Sequence, residues 1–374
     1  LRILLDPQTY NEQKFGGISR YYTELYLDLN AMEGITVNCP IFFSDNLHLK
    51  EAGLFQGFLN TIVDSPVCPK FLRKKIVKKT KPLNIKNTVE AIKAQDFDVF
   101  IPTYYTPYFL EDLGEKPFVL TVYDMIHELF PQYFTFDKTT VGRKKLLMEK
   151  ATRIIAISES TKNDIIKIYP HIDASKIDVV YLSHSIKSTE KVKLSLPQKY
   201  ILFVGNRTIY KNFIFFLKAV APVLKENPDL FVVCAGGNKF NREEQDLISE
   251  LGVSNQLIQR NFEDNELATY YSNAKCFVFA SEYEGFGIPV LESMACGCPV
   301  VLANHSSFPE VAGEAGVYFE LNNSEDLKNK VATLVEDENL RNEFARKGFD
   351  QVKKFSWQKT ADECLKVYQK AIAQ

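Results

Sequence analysis

The sequence lacks the marks of several large protein classes. It has no excess of either charge, with 45 Lys and Arg against 47 Asp and Glu and a net charge of -2. A chain built to coat nucleic acid is basic overall, so no nucleic-acid partner is expected. No run approaches the ~20 apolar residues that cross a bilayer as a helix. No secretory leader is expected, since strand-like Arg2–Asp6 begins at once behind Leu1, with a start just upstream left open. Gly-x-Gly-x-x-Gly, Gly-x-x-x-x-Gly-Lys-Ser/Thr, His-Glu-x-x-His and Gly-x-Ser-x-Gly are all missing. The fingerprints of dinucleotide oxidoreductases, Walker nucleotidases, zinc peptidases and serine hydrolases are therefore absent. Seven cysteines (Cys39, Cys68, Cys234, Cys276, Cys296, Cys298, Cys364) offer only Cys296-Gly-Cys298 as a close pair. Without a second pair no metal site is expected. Their odd number, and apolar settings such as Leu230–Ala235 and Cys276–Ala280, indicate buried reduced thiols and a cytoplasmic location.

What is present is ordinary globular material: 374 residues, 45% hydrophobic and 25% charged. At about 100–200 residues per domain, that length suggests two domains. Twelve short apolar, β-branched runs recur: Arg2–Asp6, Ile35–Phe43, Phe97–Pro102, Phe118–Tyr123, Arg153–Ser158, Ile177–Leu182, Tyr200–Gly205, Leu230–Gly236, Leu257–Phe262, Cys276–Ser281, Pro299–Ala303 and Val317–Leu321. Such runs read as buried strands. Helical patterns lie between most of them, as in Tyr21, Leu25 and Leu29, or Phe213, Phe216, Leu217, Val220 and Leu224. Alternating strand and helix predicts an α/β protein with parallel sheets covered on both faces. Twelve strands are many for one sheet. Ser183–Gln198 is polar, rich in Ser and Lys, and contains Pro197 near its end, so it is the expected linker. It splits the strands six and six, predicting two doubly wound domains over 1–190 and 191–357. A helical stretch from about Gln358 to Gln374 closes the chain.

Ligands of open α/β sheets bind beyond the carboxyl ends of the strands. The unusual residues cluster there: Gly16-Gly17, Asp124 and His127, Arg207 and Lys211, Gly236-Gly237, and Glu284-Gly285-Phe286-Gly287. Half fall in each expected domain, and two such edges facing one another would line one cleft. Gly16-Gly17 reads either as a plain turn or as a close backbone approach to an anion at a helix start. In Glu284–Glu292, Pro289 predicts a helix beginning near Ile288. Its N-terminus would attract phosphate, and the two flanking carboxylates would take sugar hydroxyls. Arg207 and Lys211 follow a buried strand and a glycine, where a guanidinium can fork a diphosphate and an ammonium adds a point charge. Their alternative is a pair of solvated cations, although cations at a helix start oppose its dipole. His127, one of five histidines, is a catalytic or a structural residue; His184, in the linker, reads as structural.

Two further features carry a second reading. Asp96-Phe97-Asp98 resembles a metal-holding Asp-x-Asp, but it precedes its strand at the wrong edge for a ligand. Lys70–Lys86 carries eight Lys and Arg and no acid, with Phe71, Leu72, Ile76 and Val77 at helix-like spacing. It is either a solvated face or a peripheral contact with an anionic membrane, the latter favoured if the acceptor is a lipid.

The segment SEYEGFGIPVLESMACGCPVV (Ser281–Val301) resembles the Glu-x7-Glu motif of retaining GT-B glycosyltransferases of family 4. VGNRTIYKN resembles their donor-phosphate segment, FGGISRYYTEL their amino-terminal glycine loop, and IIAISESTKNDI and PEVAGEAGVYF further landmarks. The resemblance implies two Rossmann-like domains, with the helix 358–374 crossing back to the first. It implies transfer of a hexose from a UDP- or GDP-sugar to a hydroxyl of a saccharide or lipid-linked saccharide, with retention and without a cofactor or metal. Glu292 would hold the ribose, Glu284 the donor sugar, Arg207 and Lys211 the diphosphate, and the amides of Gly285, Phe286, Gly287 and Ile288 would orient the sugar. Many members carry His directly before the Asp of a strand-end pair, where this chain has Tyr123 before Asp124, with His127 the nearest histidine. Thr103–Tyr108 is the expected acceptor-side loop. The competing readings are a sugar-nucleotide epimerase, which would return an altered donor without acceptor, and a non-catalytic binding protein, which would bind donor without transfer.

Overall fold

The computed structural model describes residues 1–137, 139–189, 192–207 and 209–374, the side chain of Ile209 excepted. Glu190 and Lys191 of the linker, and Thr208 of the segment after Gly205, lie outside the described residues. The chain divides into two compact units. One holds Leu1–Ile157, Thr161–Leu182 and Trp357–Gln374; the other holds Ser158–Ser160 and Ser183–Ser356.

The first unit contains β1 (Arg2–Leu5), β2 (Thr36–Asn38), β3 (Val99–Ile101), β4 (Val119–Val122), β5 (Arg153–Ala156) and β6 (Ile177–Val179). They pair in parallel as β2-β1-β3 and β4-β5-β6. A parallel bridge from Phe100 to Phe118 links the two sets, and Phe100 N–H donates to Pro117 O at 3.0 Å. The spatial order is thus β2-β1-β3-β4-β5-β6. The helix Trp357–Ile372 belongs to this unit. Its Thr360 hydroxyl donates to Tyr181 O at 2.8 Å, Cys364 Sγ meets Tyr21 OH at 3.3 Å, and Lys370 pairs with Asp178 at 2.7 Å. The helix is therefore fastened by apolar burial and by specific polar bonds, not by chain continuity alone.

The second unit contains β7 (Tyr200–Val204), β8 (Phe231–Ala235), β9 (Leu257–Arg260), β10 (Cys276–Phe279), β11 (Val300–Ala303) and β12 (Gly316–Phe319). All are parallel, in the order β12-β11-β10-β7-β8-β9. This is the 3-2-1-4-5-6 order of a dinucleotide-binding sheet, and its switch point lies between β7 and β10. The helix Phe213–Glu226 buries Phe213, Phe216, Leu217, Val220 and Leu224, the residues whose spacing predicted it. Each such side chain contributes about 1.5–3 kcal/mol on burial.

Every expected run overlaps an observed strand, but the strands are shorter than the runs, and β12 begins one residue before its run, at Gly316. Ile35–Phe43 shrinks to three residues because Pro40 cannot donate to a ladder and Ile41 N–H turns back to Cys39 O at 2.7 Å. The described part of Ser183–Gln198 has neither helix nor strand. Its Val192 is held to Thr269 Oγ1 by bonds of 3.0 and 3.1 Å, which ties it to the second unit. No described cysteine is in a disulfide; six are buried and Cys68 is half-buried. No helix of the described residues is long and apolar enough to cross a membrane.

Candidate active site

In the second unit the switch point is built on glycines. Gly205 closes β7 at φ 96°, and Gly236 and Gly237 close β8 at 89° and 73°. A Cβ on Gly237 would stand 2.8 Å from Gly205 O, so two backbones meet there with no room for a side chain. From the ends of β7 and β10 come Lys211 and Glu284, which form an ion pair through Glu284 Oε1. The same oxygen accepts Ser281 Oγ at 2.8 Å. Each partner's side chain is 17% exposed, so the pair is sheltered yet reachable. Burial draws the Lys211 ammonium down, but the Glu284 carboxylate and Tyr210 more than offset this, and its pKa lies above the usual lysine value. It stays a cation at neutral pH. The rings of Tyr210 and Phe279 flank it at 5.3 and 5.1 Å.

The loop that carries Glu284 is stitched from behind. Ser306 Oγ and Ser307 Oγ donate to Glu284 O at 2.7 and 2.9 Å, and Ser307 Oγ also reaches Phe286 O at 2.8 Å. Glu282 N–H donates to Tyr210 O at 2.8 Å, joining the loops that follow β7 and β10. Gly287, at φ 101°, then opens the helix Ile288–Ala295 with Pro289 in its first turn. That is the helix start expected from the sequence. Gly285, Phe286, Gly287 and Ile288 thus lead directly into a helix N-terminus. Glu292, one turn inside, accepts Tyr271 OH at 3.3 Å.

Arg207 is placed differently from the expectation. Its Nε donates to Glu244 Oε1 at 2.7 Å, and its Nη atoms donate to Gly236, Gly237, Asn238 and Lys239 carbonyls at 3.0–3.2 Å. Phe240 and Phe213 cover its planes at 4.8 and 5.5 Å. The side chain is 3% exposed. In this structure its fork is engaged by a buried carboxylate and by the β8 loop, so it clamps the fold here, and these are the bonds it would exchange to reach a diphosphate. A buried guanidinium needs a charged partner, and Glu244 supplies it. Sequence reasoning missed Glu244 because Asn241-x-x-Glu244 reads as a local capping box, which it also is.

In the first unit Gly16 is the N-cap of the helix Gly17–Ala31, with extended backbone. Gln13 Oε1 already accepts Ser19 N–H there at 3.1 Å. One of the donors expected to await an anion is therefore engaged within the chain. Asp124, after β4, accepts Ile126 N–H at 3.1 Å in a tight turn. The ammonium of Lys144, fully buried, donates to Asp124 O at 2.9 Å and pairs with Glu128 at 2.8 Å. His127 packs on Phe134 at 4.1 Å and directs Nε2 towards Asp137, 3.6 Å away. Tyr123, standing in the place of the expected histidine, donates to Thr103 O at 2.7 Å and lies 2.9 Å from Tyr22 OH, so it is a core residue. Asp6, at the end of β1, is fully buried. It accepts Gln8 N–H at 3.0 Å and Tyr108 OH at 2.8 Å, while Gln8 Oε1 accepts Thr106 N–H at 2.9 Å. The loop Thr103–Tyr108 is thereby locked to the sheet. Asp96 and Asp98 pair with Arg2, which accounts for the Asp-x-Asp locally.

Two family models match the chain. Residues 15–183 match Glycosyltransferase Family 4, and residues 185–351 match Glycosyl transferases group 1. The chain belongs to the family 4 glycosyltransferases. This glycosyltransferase has the GT-B fold and moves a sugar from a nucleotide-sugar donor. It is 27% identical to the O-antigen chain mannosyltransferase B of Escherichia coli, over 73% of this chain and 74% of that enzyme. It is 31% identical to the N-acetylgalactosamine-N,N'-diacetylbacillosaminyl-diphospho-undecaprenol 4-alpha-N-acetylgalactosaminyltransferase of Campylobacter jejuni, over 59% of this chain and 61% of that enzyme. The crystal structure of HepE from Anabaena with UDP and glucose aligns with a TM-score of 0.70 at 16% identity, covering 98% of each chain.

Proposed function

We propose that this glycosyltransferase moves a hexose from a UDP- or GDP-sugar to a hydroxyl of a saccharide or lipid-linked saccharide, retaining the anomeric configuration and using no metal. The observation that carries the reading is the Lys211–Glu284 pair at the switch point of the second unit. The hard step is departure of the nucleoside diphosphate as positive charge develops on the sugar. A preorganised cation where negative charge grows is commonly a large catalytic term, and one lost donor costs about 3–4 kcal/mol. Lys211 takes that role, exchanging its bond to Glu284 for the leaving phosphate. Glu284 then turns to the donor sugar, Glu292 holds the ribose hydroxyls, and the backbone of Gly285–Ile288 orients the sugar at the helix start. The bond from the anomeric carbon to the phosphate oxygen breaks, and the bond to the acceptor oxygen forms on the same face. The acceptor proton passes to the leaving phosphate. In the first unit Gly16 and Gly17 are assigned to binding the donor, Asp124 and His127 to catalysis, and the loop Thr103–Tyr108 to the acceptor. The names of the bacterial relatives, an O-antigen chain enzyme and one acting on a diphospho-undecaprenol, support a lipid-linked acceptor and peripheral contact with a membrane.

The test is a thermal-shift screen of UDP, GDP and their hexoses, followed by transfer to a mannose- or N-acetylhexosamine-terminated acceptor in excess EDTA. The expected result is stabilisation by one nucleotide class, about 2.7 kcal/mol at a hundredfold excess over Kd, and an axial linkage from an axial donor. Inverted product, or transfer abolished by EDTA and restored by a divalent ion, would overturn it. An altered sugar nucleotide formed without acceptor would reassign the chain as an epimerase.

A further inference from the structure

Glu284 is held in two separate ways. Its carboxylate is held through one oxygen, by Lys211 and Ser281. Its main chain is held by two serines of the loop that follows β11. Ser306 Oγ donates to Glu284 O at 2.7 Å and accepts Glu284 N–H at 3.4 Å, so one hydroxyl grips both poles of the same residue. Ser307 Oγ shares its single proton between Glu284 O at 2.9 Å and Phe286 O at 2.8 Å, tying together the carbonyls on either side of Gly285. Ser307 is fully buried, and Phe308 beside it packs on Phe279 at 5.1 Å, the ring that also flanks Lys211. The serine loop and the cation therefore rest on one piece of core.

Ser306 has a φ of 56°, in the left-handed region that an L-residue enters at a cost and glycine enters freely. Such strain persists where the surroundings over-determine it, and it collects at functional sites. Glycine would take this backbone shape more cheaply, but it would bring no hydroxyl to Glu284. The reaction gives that hydroxyl a purpose. When Lys211 leaves Glu284 for the departing phosphate, the carboxylate loses its cation as it must face the sugar. The serine bonds go to its main chain, so they are untouched by that exchange and hold the residue throughout.

We propose that Ser306 and Ser307 are positioning residues that aim Glu284 at the donor sugar once Lys211 has turned to the phosphate, and that they thereby set the discrimination between hexoses. Epimeric hexoses differ in the direction of one hydroxyl, and a site built to accept that hydroxyl rejects the epimer only while its acceptor is fixed. The proposal rests on the assignment of Glu284 to the sugar made above, and the experiment separates the failure of one from the failure of the other.

The full chain is compared as wild type, Ser306→Gly, Ser307→Ala, Glu284→Gln, and Ser306→Gly combined with Glu284→Gln. The measurements are kcat and KM with the UDP- or GDP-hexose that wild type transfers and with its C4 epimer, Kd for UDP and GDP, and Tm. Ser306→Gly should lower kcat about tenfold or more, the scale of a small misplacement at a reacting centre. Its Tm should stay near wild type, because glycine takes the same φ without strain. Its Kd for the nucleoside diphosphate should stay within about twofold, since the groups proposed to hold the ribose and the diphosphate are unaltered. Preference for the true donor over its epimer should fall about fivefold. Ser307→Ala should act in the same direction, and Ser306→Gly carries the test alone if Ser307→Ala does not fold. In the residual transfer of Glu284→Gln, adding Ser306→Gly should cost less than about threefold, because residues that act as a unit are not additive. Wild-type kcat in Ser306→Gly, or losses that simply multiply in the double variant, would overturn the proposal. A loss of kcat matched by a lower Tm and weaker nucleotide binding would overturn it too, leaving the serines as a general brace of the fold. Glu284→Gln with wild-type transfer would overturn the sugar assignment and the positioning role with it. A strongly impaired Glu284→Gln beside fully active serine variants would overturn the positioning role alone.

Discussion

The two units share a parallel doubly wound plan, yet their strand ends are built on opposite principles. At the switch point of the second unit, Lys211 and Glu284 are linked to each other and remain partly exposed, above loops pinned by serines and glycines. At the matching edge of the first unit, Asp6 and Lys144 are fully buried and spend their bonds on their own loops. One edge holds charge ready for a ligand. The other consumes charge to shape loops. A polar group that is satisfied internally rigidifies its surroundings, whereas one left with an exchangeable partner can be recruited by substrate. Arg207, four residues from Lys211, shows that both principles also operate inside one loop.

The largest effects should come from breaking the internal clamps. Arg207→Met leaves Glu244 buried without its cation, and removing one member of a buried pair costs about 3–5 kcal/mol. Urea unfolding should record that loss, and Arg207→Met with Glu244→Gln should regain much of it. A stable Arg207→Met that loses only nucleotide affinity would return Arg207 to the diphosphate and dissolve the contrast. Lys144→Met is the counterpart in the first unit and strands Glu128 in the same way, at about 3 kcal/mol. Nucleotide affinity should be unchanged in the folded variant, because every donor-binding residue proposed here lies in the other unit apart from Gly16 and Gly17. A changed Kd for UDP or GDP would refute that division.

Next in size is the exchangeable pair. Lys211→Ala should lower kcat/KM by at least tenfold and towards a hundredfold, about 2.7 kcal/mol. Its Tm should stay near wild type, since Glu284 is partly exposed and keeps Ser281. Unchanged transfer with a verified donor would remove Lys211 from the site. A large drop in Tm would make it a clamp like Arg207.

The same contrast explains how much was legible beforehand. The twelve strands and the helix opening at Ile288 could be read because apolar period, glycine and proline act locally. The exchangeable pair could be read because both residues follow strand ends in Gly-rich segments. The clamp on Arg207 could not be read because its partner, Glu244, comes from a helix 37 residues later and looks like an ordinary cap. Lys144 looks like any other cation on a helix until the turn at Asp124 folds over it. Tyr123 could not be recognised as core without Tyr22 and Thr103, which reach it only in three dimensions. The proposed site of the second unit rests on local pattern, whereas shape at the first rests on long-range burial that one-dimensional spacing does not encode.

The smallest effect sharpens the buried side of the comparison through pH. Burial raises the Asp6 carboxyl to about 6, although Tyr108 and Gln8 donate to it and pull it down. In the unfolded chain it titrates near its ordinary value of about 3.9. Between those values the folded state binds the proton and the unfolded state does not. The contribution of Asp6 to stability is therefore greatest at low pH, falls as pH rises through the window, and levels off above about 6. About 2 kcal/mol should be lost between pH 4 and 6.5 from this group. Asp6→Asn cannot titrate, so the difference in unfolding free energy between wild type and variant should slope across that window and be flat from pH 6.5 to 8. A difference that is constant from pH 4 to 8 would mean that the carboxylate is already ionised in the fold, held by Tyr108 and Gln8 as a working anion. The first unit would then present charge at its switch point just as the second does.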